Sequence, residues 1–182
     1  MFNHFIVPIT SDICQKYAIT KVNNEINNIT DEIINSMNIK TSDLTNEINT
    51  NELSHINLNS ILVNTITNKV GANLSKKMNT PEYNNIQIPI GVFSGIPMLS
   101  QIDFKIPVNI TSIGDAKVDY ETSLTSAGVN QVSYQVWLNI ECDVSIVSPV
   151  FSKNVNIKRK LLLVNTVFNG KVPNGYANIN LK

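Results

Sequence analysis

Nucleophilic or acid–base catalysis needs a serine, cysteine or lysine held beside a histidine or a carboxylate in a cleft. The chain has His4 and His55, and no catalytic motif surrounds either. Cys14 and Cys142 stand far apart, with no CxxC pair and no neighbouring histidine, so the ligand spacing of a metal site is missing. Their separation leaves a disulfide open. The simpler reading, two unpaired and mostly buried thiols packing as small hydrophobes, is preferred. Asp31 and Glu32 are consecutive, so on a helix they face apart. Glu141 and Asp143 share a strand face, where lysines can use them structurally. No GxSxG, Walker-type glycine loop, GxGxxG or HExxH occurs. The expectation is a protein that is not an enzyme and holds no metal or cofactor.

The remaining chemical feature is the basic run Lys158-Arg159-Lys160. It does not form part of a basic field: the 182 residues carry 14 Lys+Arg against 14 Asp+Glu, and Arg159 is the sole arginine. A protein that binds nucleic acid by neutralising phosphates needs a clustered basic surface, so that class is excluded as an expectation. Asparagine (28 residues) replaces charge as the solvating type, and isoleucine (25 residues) supplies β-branched material for one core. The length suits one domain.

Two helices and a sheet are expected to position these groups. From Ser11 to about Met37, apolar residues Ile13, Tyr17, Val22, Ile26, Ile29, Ile33 and Met37 recur mostly at steps of three or four, predicting an amphipathic helix with Ser11 or Asp12 as cap. Its polar face carries Lys16, Lys21, Asn24, Asn28 and Asp31. Residues 1–10, MFNHFIVPIT, lack the basic start and longer apolar core of a signal peptide and are too short to span a bilayer. They are expected to be a remnant or juxtamembrane segment, with residues 11–182 forming the domain. Leu44 to Leu58, interrupted by Asn49-Thr50-Asn51, predicts a short hairpin. A second helix runs from its cap, Asn59, to Met78 on the stripe Leu62, Ile66, Val70, Leu74 and Met78, weakened slightly by Gly71 and ended by Thr80-Pro81.

Everything after Asn84 reads as strand. Ile86, Ile88 and Ile90 alternate up to Gly91, and GVFSGIPMLS connects onward. Ile102, Phe104, Ile106, Val108 and Ile110 alternate next, and Pro107 assigns that strand to an edge or a bulge. Asp115 to Leu124 sets Ala116, Val118, Tyr120 and Leu124 on one face. Val132, Tyr134, Val136, Leu138, Ile140, Cys142, Val144 and Ile146 then alternate without a break, followed by a strand over Lys153 to Phe168. The architecture is α+β: two amphipathic helices packed on a long, twisted antiparallel sheet, with a small hairpin between the helices.

Face parity predicts the register. A turn near Gly128 sets Tyr120 opposite Val136, and a turn at Pro149 sets Glu141 opposite Lys158 or Lys160. With Val155, Ile157, Leu161 and Leu163 inward, Arg159 also points inward, where a guanidinium needs a partner or an open edge. An edge-exposed, snorkelling arginine is preferred to a ligand site. On the outward face, Trp137, Leu162 and Val164 fall within one or two pair positions and predict an apolar island. A covering element or a partner surface would explain it.

In IQIPIGVFSGIPMLS and KIPVNITSIGDAKVDYETSLTSAGVNQVSYQVWLNIECDVSIVSP the chain resembles the YunB family of sporulation proteins from endospore-forming Firmicutes. The resemblance runs from the helix after Ser11 to the end. It rests on Ile88-Pro89-Ile90-Gly91 with Gly95, the Ile113-Gly114 turn, the Ser126 to Gln131 hairpin and the Ser148-Pro149 turn. It implies a protein made during spore formation, membrane-associated in the sporulating cell, with its domain between the mother-cell and forespore membranes. Members typically carry a transmembrane helix upstream of the first amphipathic helix, which this chain lacks, and the family brings no established reaction and no catalytic residues. The expected role is non-enzymatic assembly of the spore envelope (coat or cortex) through protein surfaces, with other spore-envelope proteins or a second copy as partner. A lipid or membrane surface is a further candidate. The alternative is a carrier of lipid or another apolar ligand, in a groove between helix and curved sheet lined by the inward row from Val132 to Ile146.

Overall fold

The computed structural model describes residues 2–49, 54–89, 91, 105–128, 131–149 and 151–169. Its order is α1 (Phe2–Ser36), α2 (Thr41–Leu44), β1 (Thr45–Asn49), β2 (Ser54–Leu58), α3 (Ser60–Met78), α4 (Pro81–Asn84), β3 (Asn85–Pro89), β4 (Lys105–Ser112), β5 (Lys117–Gly128), β6 (Gln131–Val147) and β7 (Ser152–Asn169). The α+β reading holds. Helices and a curled antiparallel sheet share one hydrophobic cluster, to which α1, α3 and strands β3, β4, β6 and β7 contribute buried residues.

The helix α1 starts nine residues before the expected cap and runs through Pro8. Proline removes one intrahelical hydrogen bond, and Pro8 is exposed. Thr10, at 2% exposure, shows that the buried stripe extends past Ser11. That stripe is Thr10, Cys14, Ala18, Val22 and Ile26 at strict steps of four, so Cys14 and Ala18 take the places expected for Ile13 and Tyr17. Tyr17 is 52% exposed. Both cysteines are free and buried, and burial pushes each thiol up to about 11.

In α3 the cap is as expected: the side chain of Asn59 accepts from the backbone N–H of Leu62 at 3.1 Å. The same residue ties the helix to α2, its N–H donating to Leu44 O at 2.9 Å. The hairpin pairs Thr45 with Leu58 through Asn49 with Ser54; its expected turn residues Thr50 and Asn51 lie outside the described residues. Gly71 faces β5 across the helix–sheet interface, where an added methyl would meet Val118 Cγ2 at 3.5 Å and Ala116 O at 3.6 Å.

One edge of β6 carries β7 along its whole length, and the other carries β5 and β4 end to end. The break between those two strands is the Ile113-Gly114 turn, where Gly114 takes φ +78°, a conformation costly for any residue with a Cβ. The strand containing Pro107 is therefore not an edge strand, being paired with β3 and with β6. Pro107 is tolerated because its β6 pairing begins only at Asn109, leaving β3 as its sole described neighbour at that level. Ile102, Phe104 and the GVFSGIPMLS connection beyond Gly91 lie outside the described residues.

The β5–β6 register differs from expectation by two. Tyr120 faces Leu138 rather than Val136, because the ladder closes on Gly128 opposite Gln131, with an irregularity between Ser126 and Gly128. Leu124, expected on the inward face with Tyr120, is 64% exposed near that end. Of the inward row from Val132 to Ile146 that would line the carrier's groove, Val132 is half-buried, Tyr134 is 9% exposed, and Val136, Leu138, Ile140, Cys142, Val144 and Ile146 are at most 2% exposed and belong to the core. Among the described residues, no helix is long and apolar enough to cross a membrane.

Candidate functional site

Because α1 and α3 cover the inward face, the outward rows of β5, β6 and β7 form an open three-strand surface. Register brings three levels together across it: Glu121, Trp137 and Leu162; Asp119, Asn139 and Lys160; Lys117, Glu141 and Lys158. At its centre the ammonium of Lys160 pairs with Glu121 and lies 5.1 Å from the centre of the Trp137 ring. The indole Nε1–H donates to Gln135 Oε1 at 3.2 Å, and Asn139 donates to Glu121 Oε2 at 3.0 Å. Further along, Asn156 donates to both Glu141 and Asp143 at 2.7 Å, and Lys158 stands 3.4 Å from Glu141. The hydrogen bonds from Lys160 and then Asn139 hold the Glu121 carboxyl below its ordinary 4.5; Asn156 first, with Lys158, does the same for Glu141.

The expected apolar island is changed by one residue. A bulge interrupts the β6–β7 ladder between Val136 and Trp137, so Leu162 faces Trp137 while Val164 faces Val136. Val164 is consequently buried at 2%, inside the core, and leaves the surface set. Leu162, at 45% exposure, remains beside Trp137. Single-sequence parity missed this because alternation carries no mark of an extra residue in a long apolar run such as Leu161 to Val164. The same reasoning undervalued Lys160 and Glu121, whose meeting over Trp137 could have been found by laying both registers side by side.

Arg159 faces inward opposite Ile140, on the outermost strand, which among the described residues pairs only with β6. It is half-buried, and its Nε is buried without a hydrogen-bond partner. On the helical side, Lys21 donates to the backbone carbonyl of Tyr83 and lies 4.2 Å from that ring's centre, while the Tyr83 hydroxyl is buried and unpartnered. Burial lowers the Lys21 pKa, against the opposing pull of Glu25. The side chains of His4 and His55 lie outside those described. Among the described residues, no group of three or more His, Cys, Asp or Glu gathers as a metal site would.

Residues 85–175, which begin at the first residue of β3 and take in every strand of the large sheet, match the family Sporulation protein YunB (Spo_YunB). The chain belongs to the YunB family. It is also similar to Sporulation protein YunB of Bacillus subtilis (strain 168), with 29% identity over 189 residues, covering 97% of this chain and 74% of that protein. No solved structure matches. Within the YunB span fall Trp137, Leu162, Lys160 and Arg159, while α1, the hairpin and α3 precede it. YunB membership implies a role in sporulation.

Proposed function

We propose that the chain is a non-enzymatic assembly component of the spore envelope, acting outside the cytoplasm between the mother-cell and forespore membranes. Its working surface is the open face of the sheet, centred on Trp137, and its partner is a spore-envelope protein or a second copy. The observation that carries this reading is the fixed geometry around Trp137: one edge bonded to Gln135, the ring under Lys160, and Leu162 exposed beside it. An aromatic and an aliphatic side chain held in place by a polar frame lose little conformational entropy on binding, as interface anchors require.

The test is replacement of Trp137 by glutamate and, separately, of Leu162 by glutamate in sporulating cells. Both variants should keep the wild-type circular-dichroism spectrum and lower the yield of mature spores. Normal spore yield from two folded variants sinks the reading.

A further inference from the structure

Between α1 and β3 runs a groove of about 720 Å³, its walls including Lys16, Tyr17, Lys21, Asn24, Asn85 and Gln87. Its polar groups differ in kind from those of the open sheet face. There, Gln135 accepts from Ser123, Glu121 from Asn139 and Glu141 from Asn156. Here Lys16, Asn24, Asn85 and Gln87 have no side-chain partner among the described residues. Among the described residues, the lining holds two ammonium groups and no carboxylate. One of them is fixed in direction, because Lys21 is clamped by the Tyr83 carbonyl and ring. Glu25, the acid whose field Lys21 feels, is not part of the wall.

These groups select a ligand by chemistry. Three carboxamides offer donors and acceptors side by side, the pattern that adjacent sugar hydroxyls complement. Tyr17, more than half exposed, presents a flat apolar ring with a polar tip, suited to stacking on the C–H face of a pyranose. Two cations with no counter-ion among the described wall residues favour a negatively charged ligand. Asn24, Asn85 and Gln87 interrupt the apolar part of the lining that Tyr17 and Ile86 supply, and a bare anion would leave the ring and the amides unused. The volume lies within the range of small-ligand clefts. We infer that the groove between α1 and β3 binds a carboxylate-bearing glycan strand.

Calorimetric titration of the full chain tests this with tetragalacturonate and a hyaluronan tetrasaccharide as acidic probes, chitotetraose as the neutral one, and inorganic phosphate as competitor. Acidic tetrasaccharides should bind at least about tenfold more tightly than chitotetraose. Tyr17→Ala and Lys16→Gln, both at exposed positions, should each weaken binding by about threefold or more, and Lys69→Gln on α3 should leave it unchanged. Three results overturn the inference: neither acidic probe binding at about 5 mM, affinity unaltered in both groove variants, or phosphate displacing the sugars at equal concentration. Should Tyr17→Ala fail to fold, Lys16→Gln alone decides, since its side chain extends from the exposed face of α1.

Discussion

Leu162 stands opposite Trp137 on the open face of the sheet, and Val164, two residues later, stands opposite Val136 in the core. In a regular strand both would share a face. The bulge between them therefore makes two similar apolar residues energetically unlike. Val164→Thr introduces a hydroxyl into a site with 2% exposure and should cost about 1–3 kcal/mol, whereas Leu162→Thr should cost under about 1 kcal/mol. Urea unfolding of the two variants measures the difference, and equal losses would mean that the ladder runs without the bulge.

The carboxylates of the open face give a pH dependence with a defined sign. Glu121 and Glu141 titrate below the ordinary 4.5 when folded, so their contribution to stability is present above pH 4.5 and is lost as the pH falls through the lower folded values. Thermal unfolding should show the wild type losing Tm faster than the Glu121→Gln, Glu141→Gln double variant as the pH is lowered from 4.5. Parallel curves would refute the assignment.

Free thiols report on the core independently. Cys14 and Cys142 are each 1% exposed and raised to about 11, so neither is accessible or ionised at pH 8. A chromogenic disulfide reagent should release no colour from the native chain and two equivalents after denaturation. Raised values also mean that the thiols' contribution is complete below 9.0 and declines as the pH climbs towards 11. Rapid labelling of one thiol in the native state would place that cysteine at the surface.

Gly71 costs α3 helix propensity without a steric need for it. The added methyl of Gly71→Ala would make ordinary contacts with Val118 Cγ2 at 3.5 Å and Ala116 O at 3.6 Å. Gly71→Ala should therefore stabilise the chain by up to about 1 kcal/mol. A loss of stability in guanidinium unfolding would show that α3 and β5 pack more closely than these distances.

What the sequence determined by itself is the class of the two long helices, the hairpin and the long strands, and much of the local chemistry. Steps of four specified α3, Asn59 declared its cap, and unbroken alternation from Val132 to Ile146 specified β6, because these signals are local and repeat. Turn chemistry also narrowed the partner of Glu141 to Lys158 or Lys160, since a short connection at Ser148-Pro149 limits the pairing, and the structure takes Lys158. The tertiary structure decided what depends on non-local packing. The helix α1 continues through Pro8, which propensity opposes, and buries Thr10. An irregularity near Gly128 moves Tyr120 from Val136 to Leu138, and a bulge beside Trp137 turns Val164 inward. Side-chain alternation has a period of two and counts residues faithfully only while the ladder is regular. One extra residue reverses every face beyond it, and only the packed sheet shows where that residue lies. The groove between α1 and β3 belongs to the same category: Lys21 and Tyr83 are 62 residues apart, and no local pattern announces their contact.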